Sequence, residues 1–178
     1  MFREVPVLPV VVPLGAVIVL VLGWRLRRRG LFSLPRASVA LALGVYAAGI
    51  VANTVFPIFL DKPERTMEWD SALSLTPIAG YEVADAIMNV AVFTPLGVLV
   101  ALLLARPTWW RVVGVSAAAS LAIEVTQYVT ARLLGGGHVA DVDDLLFNVL
   151  GGALGFGILG LVMRVPVLAG LLDRFRWR

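Results

Sequence analysis

The sequence predicts an all-α fold, a polytopic membrane helix bundle of about five transmembrane helices. Three observations carry this. Hydrophobic residues make up 60% of the chain and charged residues only 15%, against about 45–50% and about 25% in soluble domains. The mean hydropathy is +0.91. The apolar residues fall into five stretches, each near the roughly 20 residues that cross a bilayer core.

The first stretch covers residues 5–23, with Pro6, Pro9 and Pro13 near its start. Its charges follow the apolar run rather than precede it, and no small-residue cleavage site comes after, so it reads as a retained helix and not a signal peptide. The second covers residues 38–60 and contains Asn53 and Pro57. The third, fourth and fifth cover residues 86–105, 109–130 and 145–163. With 178 residues the chain is expected to form one compact unit. It divides into an N-terminal two-helix region with its connector (1–71), a core (72–160) and a basic tail (161–178).

Charge orients the bundle. Arg25, Arg27, Arg28, Arg29 and Arg36 fall in the first connector, Arg106 and Arg111 in the third, and Arg164, Arg174, Arg176 and Arg178 after the fifth helix. Eleven of the 15 basic residues thus share one side with a single acid, Asp173. Asp61, Glu64, Glu68, Asp70, Glu82, Asp85, Asp141, Asp143 and Asp144 occupy the other. Basic loops stay cytoplasmic, so the expectation is an outer N-terminus and a cytoplasmic C-terminus. The net charge of +3 is then a matter of topology, and no nucleic-acid partner is expected. Absence of cysteine excludes disulfides and thiolate metal sites.

The longest connector, residues 61–85, lies on the acidic side. Trp69, Leu73, Leu75, Ile78 and Tyr81 suit it to lie against the membrane surface, where a short interfacial helix fits the composition. Trp109 and Trp110 fit an aromatic belt at the opposite interface.

Polar groups inside a membrane are expensive and call for a partner or a task. Asn53, Asn89, Glu124, Gln127, Asn148 and the acidic run Asp141, Asp143, Asp144 qualify. On the expected topology, Asn89 lies one turn below the outer surface, Glu124 and Gln127 within about 5–10 Å of it, and Asn148 one turn below Asp144. Asn89, Glu124, Gln127, Asp141, Asp144 and Asn148 are therefore the candidate substrate-binding residues, with Glu124 and Asp144 the candidate catalytic carboxylates. Glu124 and Gln127 share a helix face, as do Asp141, Asp144 and Asn148. Gly151, Gly152 and Gly155 just below let that face press on a neighbour.

Each of these has a simpler role to set beside it. The amides serve equally as interhelical glue, worth about 0.6 kcal/mol each. The three aspartates also suit a solvated helix start, Asp143 above all. His138, after three glycines, could join Asp141 and Asp144 in a metal site, but one histidine does not specify it, and neither metal nor cofactor is expected. Arg132 is placed to meet an outer acid or a lipid phosphate.

Several of these segments resemble the VanZ family of bacterial membrane proteins. The carrying pieces are Ser74-Leu75-Thr76-Pro77-Ile78, Asn89-Val90-Ala91-Val92-Phe93-Thr94-Pro95-Leu96-Gly97, Glu124-Val125-Thr126-Gln127, and Asp141-Val142-Asp143-Asp144 leading to Asn148-Val149-Leu150-Gly151-Gly152. The resemblance implies a multi-pass protein of the bacterial cytoplasmic membrane, in a family whose founder is linked to low-level teicoplanin resistance. The acidic and amide-lined notch expected at the outer leaflet points to membrane lipids and an envelope lipid-linked substrate as partners. Three classes of function fit: a protein that binds or handles an envelope lipid or glycopeptide-related substrate, an enzyme using Glu124 or Asp144 as general base, and a structural or partner-binding bundle.

Overall fold

The computed structural model describes residues 3–61, 73–78, 82–133 and 139–178. Its elements are α1 (Leu8–Arg28), α2 (Leu34–Thr54), β1 (Leu73–Ser74), α3 (Val83–Leu103), α4 (Trp109–Leu133), β2 (Ala140–Asp141), α5 (Val142–Val162) and α6 (Pro166–Leu172). Helices α1 to α5 are each long and apolar enough to cross a membrane, so the chain is a multi-pass helical bundle. Without water in the bilayer core, a helix satisfies its backbone groups within one segment.

Local chemistry sets the helix ends. Ser33 caps α2 by accepting from the Arg36 amide at 3.5 Å, with Pro35 in the first turn. Asp141 caps α5, accepting from the Asp143 amide at 2.8 Å. Two boundaries differ from the sequence expectation. Helix α2 stops at Thr54 rather than reaching Leu60, because Pro57 disfavours helical backbone at Phe56. Helix α1 continues through Arg28, placing Arg25, Arg27 and Arg28 in its last turn instead of a connector. There they complement the negative end of the helix dipole.

Glycines bring the helices together. Gly15 and Gly44 join α1 to α2, and a Cβ on Gly15 would come within 2.9 Å of the Gly44 carbonyl oxygen. Gly97 of α3 lies on Gly152 of α5, Gly155 lies on the Thr94 carbonyl of α3, and the other side of Gly152 meets Ser116 of α4. Helix α5 therefore touches α3 backbone to backbone and α4 through the Ser116 side chain. Phe93, Leu96, Val100, Ala101 and Val112 close a buried core beside it.

The α1–α2 hairpin is joined to this core at a few points. The Tyr46 hydroxyl donates to the Val92 carbonyl at 3.0 Å, and Gln127 Nε2 donates to the Thr54 carbonyl at 3.0 Å. At the basic end the last segment of the sequence folds back between them. Buried Trp177 donates its amide to the Leu102 carbonyl at 3.0 Å and its indole N–H to the Arg36 carbonyl at 3.2 Å. The Arg36 guanidinium donates to the carbonyls of Leu31, Arg176 and Arg178.

The acidic end is closed by a two-residue parallel bridge, Leu73 opposite Ala140 and Ser74 opposite Asp141. It occupies the described part of the connector for which an interfacial helix is expected; Trp69 and Tyr81 lie outside the described residues.

Substituting Gly155 with Leu forces α3 and α5 apart and is expected to lower stability by about 1–3 kcal/mol. Gly160→Leu, where nothing lies within 4 Å of the added Cβ, is the control and should stay within about 0.5 kcal/mol of wild type. Thermal melting in detergent checks both, and equal losses would refute the backbone contact as the reason.

Candidate functional site

The acidic end is built on a polar stripe along α4. Ser116, Ser120, Glu124 and Gln127 recur every three or four residues, which places them on one face, and all four are buried. The same face meets α5. Asn148 Nδ2 donates to Ser120 Oγ at 3.0 Å, an interhelical bond in the middle of the α4–α5 contact. Gln127 turns instead to α2, through its bond to Thr54.

Above this stripe a chain of hydrogen bonds ties four segments together. The Asp141 amide donates to Glu124 Oε2 at 2.9 Å, joining β2 to α4. The Asp143 amide donates to Asp141 Oδ1. The Ile78 amide in turn donates to Asp143 Oδ2 at 2.8 Å, anchoring the segment after β1. Ile78 has φ +66°, a left-handed conformation that costs a β-branched residue about 1–2 kcal/mol, so this amide bond holds the turn against its own preference. Asp143 is 1% exposed. It is not the solvated helix start that the sequence suggests, because the β1–β2 bridge covers it.

Asp144 faces the other neighbour of α5. Its Oδ1 accepts from Asn89 Nδ2 of α3 at 2.5 Å, across the interface that Gly151 and Gly155 make close. Arg132, near the end of α4, lies with its guanidinium 5.8 Å from the centre of the Tyr128 ring.

A cavity of about 240 Å³ opens between α4, the start of α5 and the β1 segment. Leu73, Leu121, Val125 and Leu145 form its wall together with the apolar parts of Ser74, Glu124, Tyr128 and Asp141, and the surface it presents is apolar. Leu121 and Val125 are each 53% exposed, on the face that α4 turns toward lipid. The cavity is therefore an apolar slot with a hydrocarbon rim, and the buried Glu124 belongs to its wall. Glu124 Oε1 makes no hydrogen bond within the described residues, since Oε2 alone takes the Asp141 amide.

The six sequence candidates occupy three places. Glu124 and Asp141 line the cavity. Asn89 and Asp144 pair across α3 and α5. Asn148 and Gln127 bond to Ser120 and Thr54 at helix contacts. His138 lies outside the described residues. Sequence reasoning missed Ser116, Ser120, Tyr128 and the tether role of Asp143. The serines were recoverable from their spacing, four and eight residues before Glu124; Asp143 was not, because its partner comes from a distant connector.

Four buried acceptors have no partner among the described residues: Ser116 Oγ, Gln127 Oε1, Asp143 Oδ1 and Asn148 Oδ1. A polar layer left this incomplete costs stability at each orphan group.

Asp143→Ala removes the acceptor of the Ile78 amide. The expected result is a loss of about 1–3 kcal/mol, with faster hydrogen exchange confined to residues 73–78 and 140–144. Unchanged exchange at Ile78 would show that Asp143 does not hold the segment.

The profile of the VanZ/LLP1 family matches residues 43–163, about two thirds of the chain. The match runs from the middle of α2 to the end of α5 and takes in the whole α4–α5 polar face. No curated protein and no solved structure matches the chain. The glycine-sealed α3–α5 contact, the polar stripe of α4 and the aspartate-capped α5 all lie within the matched residues, and the chain belongs to the VanZ/LLP1 family.

Proposed function

We propose that this membrane protein binds or handles a cell-envelope lipid or a glycopeptide-related, lipid-linked substrate at the cavity between α4 and α5. The observation that carries the reading is that this apolar cavity opens beside lipid-exposed Leu121 and Val125 while its wall is built in part by Glu124 and Asp141. An amphiphile entering from the bilayer leaves its hydrocarbon among the leucines and brings hydroxyl, amide or cationic groups to the carboxylates. Eleven arginines gather at the opposite end, which supports the acidic end as the outer one and the bacterial cytoplasmic membrane as the location. Asn89, Gln127, Asp144 and Asn148 support the site by holding α3, α2 and α4 around α5.

The free oxygen of Glu124 also supports a second reading, an enzyme on an envelope substrate with Glu124 as general base. Loss of turnover in Glu124→Gln with ligand binding intact would distinguish it from binding alone.

The first experiment scores glycopeptide susceptibility in a deletion strain carrying Glu124→Gln, Leu121→Trp or Asn148→Ala, alongside membrane abundance and melting temperature. Glutamine still accepts the Asp141 amide, and tryptophan at Leu121 fills the cavity from its lipid side. Both should keep near-normal abundance and lose the phenotype. Asn148→Ala strands Ser120 and should lower melting, with phenotype tracking abundance. If all three lose phenotype only in proportion to abundance, the polar layer is structural glue and the binding reading fails.

A further inference from the structure

The basic end carries a second cavity, of about 390 Å³, with a different chemistry. Arg25 and Arg29 reach it from the end of α1, Arg106 from the connector after α3, and Arg111 from the first turn of α4. Buried Trp177 forms part of its wall, held in place by its bonds to Leu102 and Arg36. Four arginines, two at the end of α1 and two between α3 and the first turn of α4, thus line one space, and among the described residues no carboxylate does.

The charges there are not balanced from within. Asp173 is the one acid among the residues of this end, and it is engaged by Arg176 at 3.5 Å and Arg178 at 2.8 Å. Arg111 donates to the Arg106 carbonyl at 3.1 Å; among the described residues no ion pair involves Arg25, Arg29, Arg106 or Arg111. Helix dipoles do not make up the deficit. The end of α1 supplies about half a negative charge, and the start of α4 returns about half a positive one.

A topology signal alone does not explain the arrangement. Orienting a helix requires arginines near its cytoplasmic end, whatever direction they point. Arg27 and Arg28 meet that need while stacked on Phe32 and Trp24, at 5.2 and 4.8 Å from the ring centres, and Arg164 and Arg174 meet it outside the cavity. Arg25, Arg29, Arg106 and Arg111 converge instead.

We infer that this cavity is a binding site for a phosphate ester, held by Arg25, Arg29, Arg106 and Arg111 and distinct from the cavity at the acidic end. Guanidinium groups match phosphate oxygens in paired, directional hydrogen bonds, and basic pockets between membrane helices take phosphate headgroups. Leu22, Leu103 and Leu104 in the same wall continue the apolar surface of α1 and α3, so a headgroup and the first carbons of its chains can be held together. A membrane phospholipid and a soluble phosphate compound share this chemistry.

The test uses the full chain purified in a neutral detergent, titrated with phosphatidylglycerol, phosphatidylcholine or inorganic phosphate, with melting temperature and native mass spectrometry as readouts. Wild type and R27Q/R28Q should bind phosphatidylglycerol alike, whereas R25Q/R106Q, with the same loss of charge, should bind about tenfold more weakly or worse. If R25Q/R106Q is already unstable without ligand, R25K/R106K keeps the charge, loses the paired geometry, and should still bind several-fold more weakly than wild type. Cavity-dependent stabilisation by phosphatidylglycerol alone identifies a lipid headgroup; the same dependence with inorganic phosphate identifies a soluble ester, and either supports the site. Equal weakening in R27Q/R28Q and R25Q/R106Q, or no stabilisation by either phosphate probe, overturns it.

Discussion

Gly97 and Gly152 face each other where α3 crosses α5, and no side chain separates the two backbones. In a bilayer no hydrophobic force draws one apolar helix onto another, so association rests on close packing and on the few polar bonds that packing allows. The glycines supply the first. By pressing α5 against α3 on one side and against Ser116 of α4 on the other, they set the distance at which Asn89 reaches Asp144 and Asn148 reaches Ser120. A bulkier residue at 152 or 155 would move the polar groups out of reach as well as opening the core. The acidic end is thus a consequence of a contact made several residues deeper.

On that base the acidic end is organised as a relay of acceptors. Glu124 holds the Asp141 amide, Asp141 the Asp143 amide, and Asp143 the Ile78 amide. Each carboxylate spends one oxygen on the backbone of the next segment, so the described part of the connector, residues 73–78, is fixed over the helix ends. Glu124, like Asp141, also lines a cavity open to lipid. Position and exposure set it apart from Asp143, which is sealed beneath the bridge.

The two ends of the bundle handle charge in opposite ways. At the acidic end carboxylates are engaged by backbone N–H groups and by an amide side chain, which neutralises little charge but satisfies geometry. At the basic end Arg36 is saturated by three carbonyls and serves structure, while the arginines around the second cavity make no ion pair among the described residues. The arginines of this end therefore divide into those that bond to backbone carbonyls and those that line a cavity, and only their surroundings tell them apart.

The sequence by itself determined the membrane class, the five spans and the family, because each depends on composition, on runs of about 20 residues and on short motifs that are local along the chain. It also singled out Glu124, Asn89 and Asn148, since a polar group in an apolar run is conspicuous whatever it touches. The tertiary structure decided what each of them does. Asn148 and Gln127 bond to Ser120 and Thr54, 28 and 73 residues away; Asp143 is buried by a connector 65 residues earlier; and Arg25 shares a cavity with Arg111 and Trp177. Such pairings depend on which helix faces meet, and that is set by glycine contacts between helices distant in the sequence, which hydropathy and spacing along one helix do not encode.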